Sequence, residues 1–165
     1  MARVGNTSNL EDGSKYDLLI FEFPEGYPIG AIDIGFGKTP HRISGVQKVS
    51  QVFLKTLASP KGTDVLYSGR GTEFGSISSS YNLQAADSSE LESIVRASVI
   101  SAETQTKSIL NINTAGLASQ LESATLIGIT TVDDGVSVQI KLLTKAGEAA
   151  PIALPFTSLG IEVNE

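Results

Sequence analysis

The chain has 165 residues, 41% of them hydrophobic and 18% charged, and its formal net charge at pH 7 is -6. This composition is typical of one folded domain that can bury a sizeable core. A duplex nucleic acid partner would need a basic stripe, and the acidic sequence offers none. Because there is no cysteine, disulfides and thiolate metal sites are excluded.

The N-terminal sequence predicts a polar arm followed by strands. Residues 1–14 are rich in Gly, Asn, Ser and charge, which is typical either of a flexible terminus or of an arm that becomes ordered on a neighbouring subunit. They lack the apolar core of a signal peptide, and no apolar run reaches the roughly 20 residues of a membrane span. We therefore expect a soluble protein made in a cytoplasm, with a single folded domain over residues 15–165.

Two apolar stretches precede the first predicted helix. Tyr16–Phe23 is apolar on both faces and predicts a covered strand. Ile29–Phe36 could return beside it as a second strand, with Ile32 and Ile34 inward, although its glycines weaken the pattern.

The first helix is predicted from residue 43 onward. Apolar residues recur there at three- and four-residue spacing, and polar residues including Gln51 fall largely on the opposite side. The stripe consists of Ile43, Val46, Val49, Phe53 and Leu57. Pro60 should end the helix, because the residue before a proline is disfavoured in helical geometry.

A glycine-rich loop is predicted over residues 60–76. Gly69, Gly71 and Gly75 surround Arg70, Glu73 and Phe74. Glycines this close together indicate a backbone that turns sharply or packs tightly against another chain. A plain surface loop explains the same pattern equally well.

The second helix is predicted to begin with a capping box, formed by Asp87 with Glu90 or by Ser89 with Glu92. Its buried face should extend over about five turns and end at the latest within Asn111–Gly116. The residues of that face are Leu91, Ile94, Val95, Val99, Ala102, Thr106 and Ile109.

The last third predicts three antiparallel strands. Ser123–Val132 is followed by Asp133-Asp134-Gly135, a strong hairpin signal, and then by alternating apolar and polar residues over 136–142. After a turn at 145–148, Ala149–Phe156 can form a third strand, which Pro151 and Pro155 either place at a sheet edge or make short. The order β(β)-α-loop-α-βββ predicts an α+β fold, with a small antiparallel sheet packed against two main helices.

The residues give little support to catalysis. His41 is the only histidine and precedes a helix, where a solvated surface role is expected. Paired carboxylates could hydrolyse glycosides, but sequence alone cannot bring any two of the candidates to the required separation. The candidates are Glu22, Glu25, Asp33, Asp64 and Glu73. We expect no enzyme activity, no cofactor, no metal and no small-molecule substrate.

The remaining features are typical of an interaction protein. An unpaired edge strand can accept a strand from another chain, with main-chain hydrogen bonds supplying affinity. The protein's own tail, Thr157–Glu165, could cover that edge instead. Two readings of the residues themselves stay open at this point: an assembly adaptor of a multi-subunit complex, and a small cell-wall glycan hydrolase.

The order of these segments resembles the baseplate wedge family of contractile phage tails, also described as sheath initiators or lysozyme-like baseplate wedge proteins. The resemblance covers about residues 43–156. It lies in a helix leading into LKTLASPKGTDVLYSGRGTEFGS, then SSELESIVRASVISAETQ, then a Val/Ile-rich hairpin and ALPF. Gly62 matches the family's loop glycine, and Phe74-Gly75 matches its Phe-Gly element.

Two parts of the chain depart from the family pattern. The family's acidic-Pro-Arg element at a subunit contact has Glu103-Thr104-Gln105 as its nearest counterpart, which keeps only the acid. The second helix could therefore stop near Glu103, with Thr106–Ile112 extended. The strands within Tyr16–Phe36 look like an addition to the family's minimal domain.

The resemblance implies a structural role in the virion tail baseplate, assembled in the host cytoplasm. It implies that a sheet edge accepts a sheath strand and so starts sheath assembly. The implied partners are the tail sheath protein, other baseplate wedge subunits, and tail tube or hub proteins, with no nucleic acid or membrane. The expected contact residues are Gly62, Arg70, Glu73, Phe74, Gly75, Ile152, Leu154 and Phe156.

Overall fold

The computed structural model describes residues 16–18, 21–22, 33–34, 42–65, 67–79, 88–111, 116–132 and 135–157. Over these residues the chain is an α+β protein with an antiparallel sheet, as the sequence predicts. The expected N-terminal arm, His41, and both Asp87 and the Asp133-Asp134 turn lie outside the described residues.

Among the described residues, four short strands precede the first helix. They are β1 (Tyr16–Leu18), β2 (Phe21–Glu22), β3 (Asp33–Ile34) and β4 (Arg42–Ser44). β2 pairs antiparallel with β3, which confirms that the second apolar stretch returns beside the first. β1 pairs antiparallel with β4, a partner that the sequence pattern does not indicate.

Helix α1 (Gly45–Ala58) begins two residues later than predicted. Ile43 is buried but lies in β4, because residues 42–44 pair with β1 instead of entering the helix. The amide of Gly45 donates to the Ser119 hydroxyl at 3.2 Å, so a residue far along the chain accepts from this helix end. Gln51, which the sequence places on the solvent-facing side of the helix, is buried.

The end of α1 confirms the proline prediction. Ala58 is its last residue, and Ser59, which precedes Pro60, adopts extended angles with φ -76° and ψ 131°. The pyrrolidine ring disfavours helical geometry at the preceding residue, so the helix cannot continue.

Two further helices differ from the sequence expectation. Helix α2 (Glu73–Ser79) occupies residues predicted to be loop, and it includes Phe74 and Gly75. Helix α3 (Ser88–Leu110) is continuous over 23 residues, about 34 Å at 1.5 Å per residue, so the expected stop near Glu103 is wrong. Ser89 lies inside α3, and the Ser89–Glu92 capping box is therefore wrong as well.

The buried face predicted for α3 is confirmed. Leu91, Val95, Val99 and Ala102 are buried among the core apolar residues. Thr106 is fully buried too, while Ile94 and Ile109 are partly buried and pack against the core.

The last third forms a three-stranded antiparallel sheet in the order β5–β6–β7. The strands are β5 (Leu121–Val132), β6 (Gly135–Thr144) and β7 (Ala149–Thr157). Val132 pairs with Gly135, which confirms the hairpin, and Gly135 also pairs with Thr157. Register shifts place bulges at residues 122 and 127 of β5.

One core joins this sheet to the helices. Val138, Ile140 and Leu142 of β6 are buried, and Gln139 and Lys141 between them are exposed, as the alternation predicts. The buried face meets Phe53 and Leu57 of α1 and the apolar face of α3 in a single cluster. None of the helices that the structure describes is both long and apolar enough to cross a membrane.

Two buried threonines, Thr72 and Thr106, differ in the hydrogen bonding of their hydroxyl groups. The Thr106 hydroxyl has no hydrogen-bond partner among the described residues. Thr72 donates its hydroxyl to the Leu57 carbonyl at 2.6 Å and accepts from the Gly75 amide at 3.0 Å. Thr106→Val should therefore stabilise the fold by about 1 kcal/mol, whereas Thr72→Val should destabilise it by about 2 kcal/mol or more.

Chemical denaturation of the two valine variants beside the unmodified protein measures both effects. The substitution is the same at both sites, so the difference isolates the hydrogen bonds. A Thr106→Val variant less stable than Thr72→Val would contradict this assignment.

Candidate assembly surfaces

The glycine-rich segment is closed at its base by backbone bonds. Pro60 and Thr72 form a parallel bridge, with the Thr72 amide donating to the Ser59 carbonyl at 2.9 Å. Further along, the Gly62 amide donates to the Arg70 carbonyl at 3.2 Å. The segment therefore begins and ends at one fixed place, directly after α1.

Gly71 and Gly75 permit this closure because backbone lies where a side chain would stand. A Cβ at Gly75 would be 2.2 Å from the Ser59 carbonyl oxygen, and one at Gly71 would be 2.5 Å from the Pro60 carbonyl oxygen. Gly71 also has φ +94°, which other residues rarely adopt. The sharp turn predicted from these glycines is confirmed at Gly71, and the close packing seen here is against the chain's own α1 terminus, whereas the prediction was of packing against another chain.

Helix α3 holds this segment through two polar side chains. The Gln105 side chain accepts from the Gly71 amide and donates to the Gly71 carbonyl, both at 3.0 Å. The Phe74 amide donates to the buried Ser98 hydroxyl at 3.0 Å. Gln105 and Ser98 therefore satisfy backbone groups that would otherwise need water or another partner.

The Glu103–Gln105 stretch is thus engaged within the chain. Glu103 accepts from Lys107 at 2.6 Å and from the Ala124 backbone amide of β5 at 3.2 Å. The resemblance implied a contact between subunits at this stretch. Sequence reasoning missed the intramolecular roles of Gln105 and Ser98, because a polar residue on a helix gives no signal of the distant backbone that it meets.

The five contact residues expected in the loop divide into two groups. Phe74 and Gly75 are buried, so their side chains and backbone serve the core rather than the surface. Gly62 and Glu73 are exposed, and Arg70 is partly exposed. Arg70 is also paired with Asp64 at 3.3 Å and stacks on the Tyr67 ring at 4.0 Å.

The tip of the loop presents apolar side chains to solvent. Val65 is 97% exposed and Tyr67 is 56% exposed. A cleft of about 410 Å³ lies behind this tip, between the loop, α1 and α3. Of its charged lining residues Lys55, Asp64 and Arg70, the last two pair with each other, which leaves few groups to orient a small molecule.

The carboxylates considered for hydrolysis lie at three places among the described residues: the β2–β3 pair, the loop after α1, and helix α2. Asp64 pairs with Arg70 and Glu73 is exposed on α2, while Glu22 and Asp33 are opposite each other in the β2–β3 register. Glu25 lies outside the described residues. Within the described ranges, no group of three or more His, Cys, Asp or Glu could hold a metal ion.

Strand β7 is an edge of the three-stranded sheet, as its prolines predict. The Thr144 amide donates to the Glu148 carbonyl at 2.9 Å, and the register continues unbroken along β7. Since antiparallel bonds alternate between sides, every second residue from 149 directs its backbone away from β6. These residues are Ala149, Pro151, Ala153, Pro155 and Thr157.

The outer side of β7 therefore has carbonyls at five positions but amide donors at only three. Pro151 and Pro155 occupy outward positions, where a missing amide costs no bond to β6. An incoming strand could form a full pair of bonds at Ala149, Ala153 and Thr157. The two prolines limit which strands fit, because they remove donors four residues apart.

The apolar residues expected to form a contact on β7 alternate with this outer row. Ile152 and Leu154 are opposite Ile140 and Val138, and Leu154 is buried in the core. Phe156 pairs with Val136 in the same register. Ile152 and Leu154 thus contribute to the core, and a partner strand would bind the backbone of β7 through the alternate positions.

Strand β5 forms the second edge of the sheet. The same alternation directs the amides of Leu126, Ile129 and Thr131 away from β6. Nearer the start of the strand, Glu103 accepts from the outward Ala124 amide and Asn111 donates to the Leu121 carbonyl at 3.4 Å. Helix α3 therefore covers the first part of this edge, and residues 126–131 have no such cover among the described residues.

Comparison of the chain with protein-family models, with curated proteins and with solved structures gives no match in any of the three. A function for the chain therefore depends on the contacts described above together with the sequence resemblance.

The backbone of Ser59 lies so close to Gly75 that residue 75 has no room for a side chain. Gly75→Ala should destabilise the fold by about 1–3 kcal/mol, because the new methyl group meets fixed backbone at Ser59. Gly69→Ala is the matched control, since a Cβ there meets nothing within 4 Å, and its effect should stay within about 0.5 kcal/mol.

Thermal and denaturant unfolding of both alanine variants provides the measurement. Equal stability of the Gly75→Ala and Gly69→Ala variants would show that the α1–α2 contact is looser than described.

Proposed function

We propose that the protein is a structural baseplate wedge subunit of a contractile tail. It connects the baseplate to the tail tube and starts sheath assembly by accepting a strand at an open sheet edge. It acts by binding the sheath protein, other wedge subunits, and tube or hub proteins, and it has no enzymatic role.

The observation that carries this proposal is the outer row of β7. A three-stranded sheet on a helical base leaves that row of carbonyls and amides without a strand partner among the described residues. Unpaired edges bind extended segments from other chains through main-chain bonds, which gives stable association without a catalytic site.

A rigid base supports this use of the edge. Leu154 and Ile140 anchor β7 and β6 in the core, and α1 packs against both strands. An incoming strand therefore meets a backbone that is already ordered, so less conformational entropy is lost on binding. The choice of tail proteins as partners depends on the sequence resemblance.

A proline at the middle outward position tests the proposal. Ala153 is exposed and directs its amide away from β6, so Ala153→Pro removes the central donor and leaves the ladder to β6 complete. Loss of this bond and the added ring should weaken sheath nucleation about tenfold or more, while Ala153→Ser should leave it unchanged.

The measurement is the fraction of baseplates that acquire sheath when assembled with each variant and purified sheath protein. Circular dichroism of both variants controls for folding. Sheath growth at the normal rate on Ala153→Pro baseplates would rule out strand acceptance at β7.

A further inference from the structure

The outer edge of β5 has the properties of a strand acceptor. Leu126, Ile129 and Thr131 direct their amides outward, and residues 123–132 contain neither a proline nor a charge. Natural edge strands often carry such residues, and β7 carries Pro151 and Pro155. An edge without them is suited to being covered by another strand.

The accepting segment has a defined start. The Glu103 carboxylate already accepts a hydrogen bond from the Ala124 amide, and it is also paired with Lys107. Added strands can therefore pair only beyond Ala124. Ile127, the bulged residue within this open part, is 60% exposed.

The chain also contains a segment with the pattern of a donor strand. Residues 158–165 lie outside the described part, but their sequence alternates apolar Leu159, Ile161 and Val163 with Gly160, Glu162 and Asn164. This period of two is typical of a strand with one apolar face. Strand β5 offers partly buried Leu126 and Ile129 to such a face at its edge.

The same molecule's β5 is poorly placed to receive this segment. Thr157 and Val132 both pair with Gly135, so β7 and β5 end at the same end of the sheet. Reaching the outer side of β5 means crossing three strand spacings, about 14 Å, which takes about four extended residues. That crossing uses Leu159 and Ile161, and they could no longer pair.

Pairing with the same molecule's β7 would need a tight turn directly after Thr157, and even a two-residue turn would use Ser158 and Leu159. The edge of β5 on a second copy has neither restriction. We propose that the alternating segment at residues 158–165 of one molecule adds as a fourth strand to residues 126–131 of a second copy of this chain. The contact joins different surfaces on the two copies, so it extends into a ring or a chain of subunits.

Two single substitutions in the full-length chain separate donor from acceptor. Thr131→Pro blocks the acceptor by removing an outward amide without breaking a bond to β6. Ile161→Pro blocks the donor in a segment outside the described ladder. Each variant alone should associate about tenfold more weakly than the unmodified protein, measured by sedimentation velocity over a concentration series.

Mixing the two variants gives the decisive result. Thr131→Pro still carries the donor segment and Ile161→Pro still carries the acceptor edge, so an equimolar mixture should form a dimer and nothing larger. Ala153→Pro, which alters only β7, should associate like the unmodified chain. Because sheath nucleation depends on β7 and self-association on β5, the two proposals can fail independently.

Three outcomes would overturn this inference. One is an unmodified protein that stays monomeric at every concentration. The second is self-association that Ile161→Pro leaves intact. The third is a mixture of the two proline variants that forms no dimer although circular dichroism shows both to be folded.

Discussion

The contact between helix α3 and the segment that joins α1 to α2 is the constraint on which the rest of the fold depends. Gln105 bonds both backbone groups of Gly71, and Ser98 accepts from the amide of Phe74. These bonds allow the chain to reverse at the end of α1 and return Phe74 to the core, where its side chain is fully buried. With the helices fixed in this way, their apolar faces form a single surface on which the sheet packs. The outer side of β7 and residues 126–131 of β5 have no cover among the described residues.

Much of this arrangement follows from local patterns in the sequence. The stripe of α1 from Val49 to Leu57, the end of that helix before Pro60, and the alternation along β6 each reflect a period that the chain itself carries. The structure differs from the sequence prediction where a residue distant in the chain determines the local conformation. Ile43 joins a strand because β1 lies beside it, and the helix of residues 73–79 begins where Ser98 of α3 accepts from the Phe74 amide.

The candidate surfaces were predicted less completely, for the same physical reason. Prolines 151 and 155 identify β7 as an edge, because a missing amide is a local property. The role of Glu103 at Ala124 depends on how α3 lies against β5, and no pattern within α3 indicates it. Phe74 lies in a glycine-rich stretch, where the sequence suggests an exposed contact residue. In the structure its amide bonds to Ser98, and the neighbouring Gly75 packs against the end of α1, so that Phe74 is placed in the core. The binding of an added strand therefore depends on the outward backbone groups of the sheet edges more than on particular side chains.

The most direct test of the central claim, that this chain is a building block of a contractile tail, is identification of its native partners. The tagged protein would be recovered under mild conditions from the lysate in which it is naturally made, and the co-purifying proteins identified by mass spectrometry. If the chain is a tail subunit, sheath, tube and wedge proteins should co-purify with it in defined proportions, and Ala153→Pro should lose the sheath protein while retaining the wedge proteins. Recovery of the protein without any tail component would contradict it.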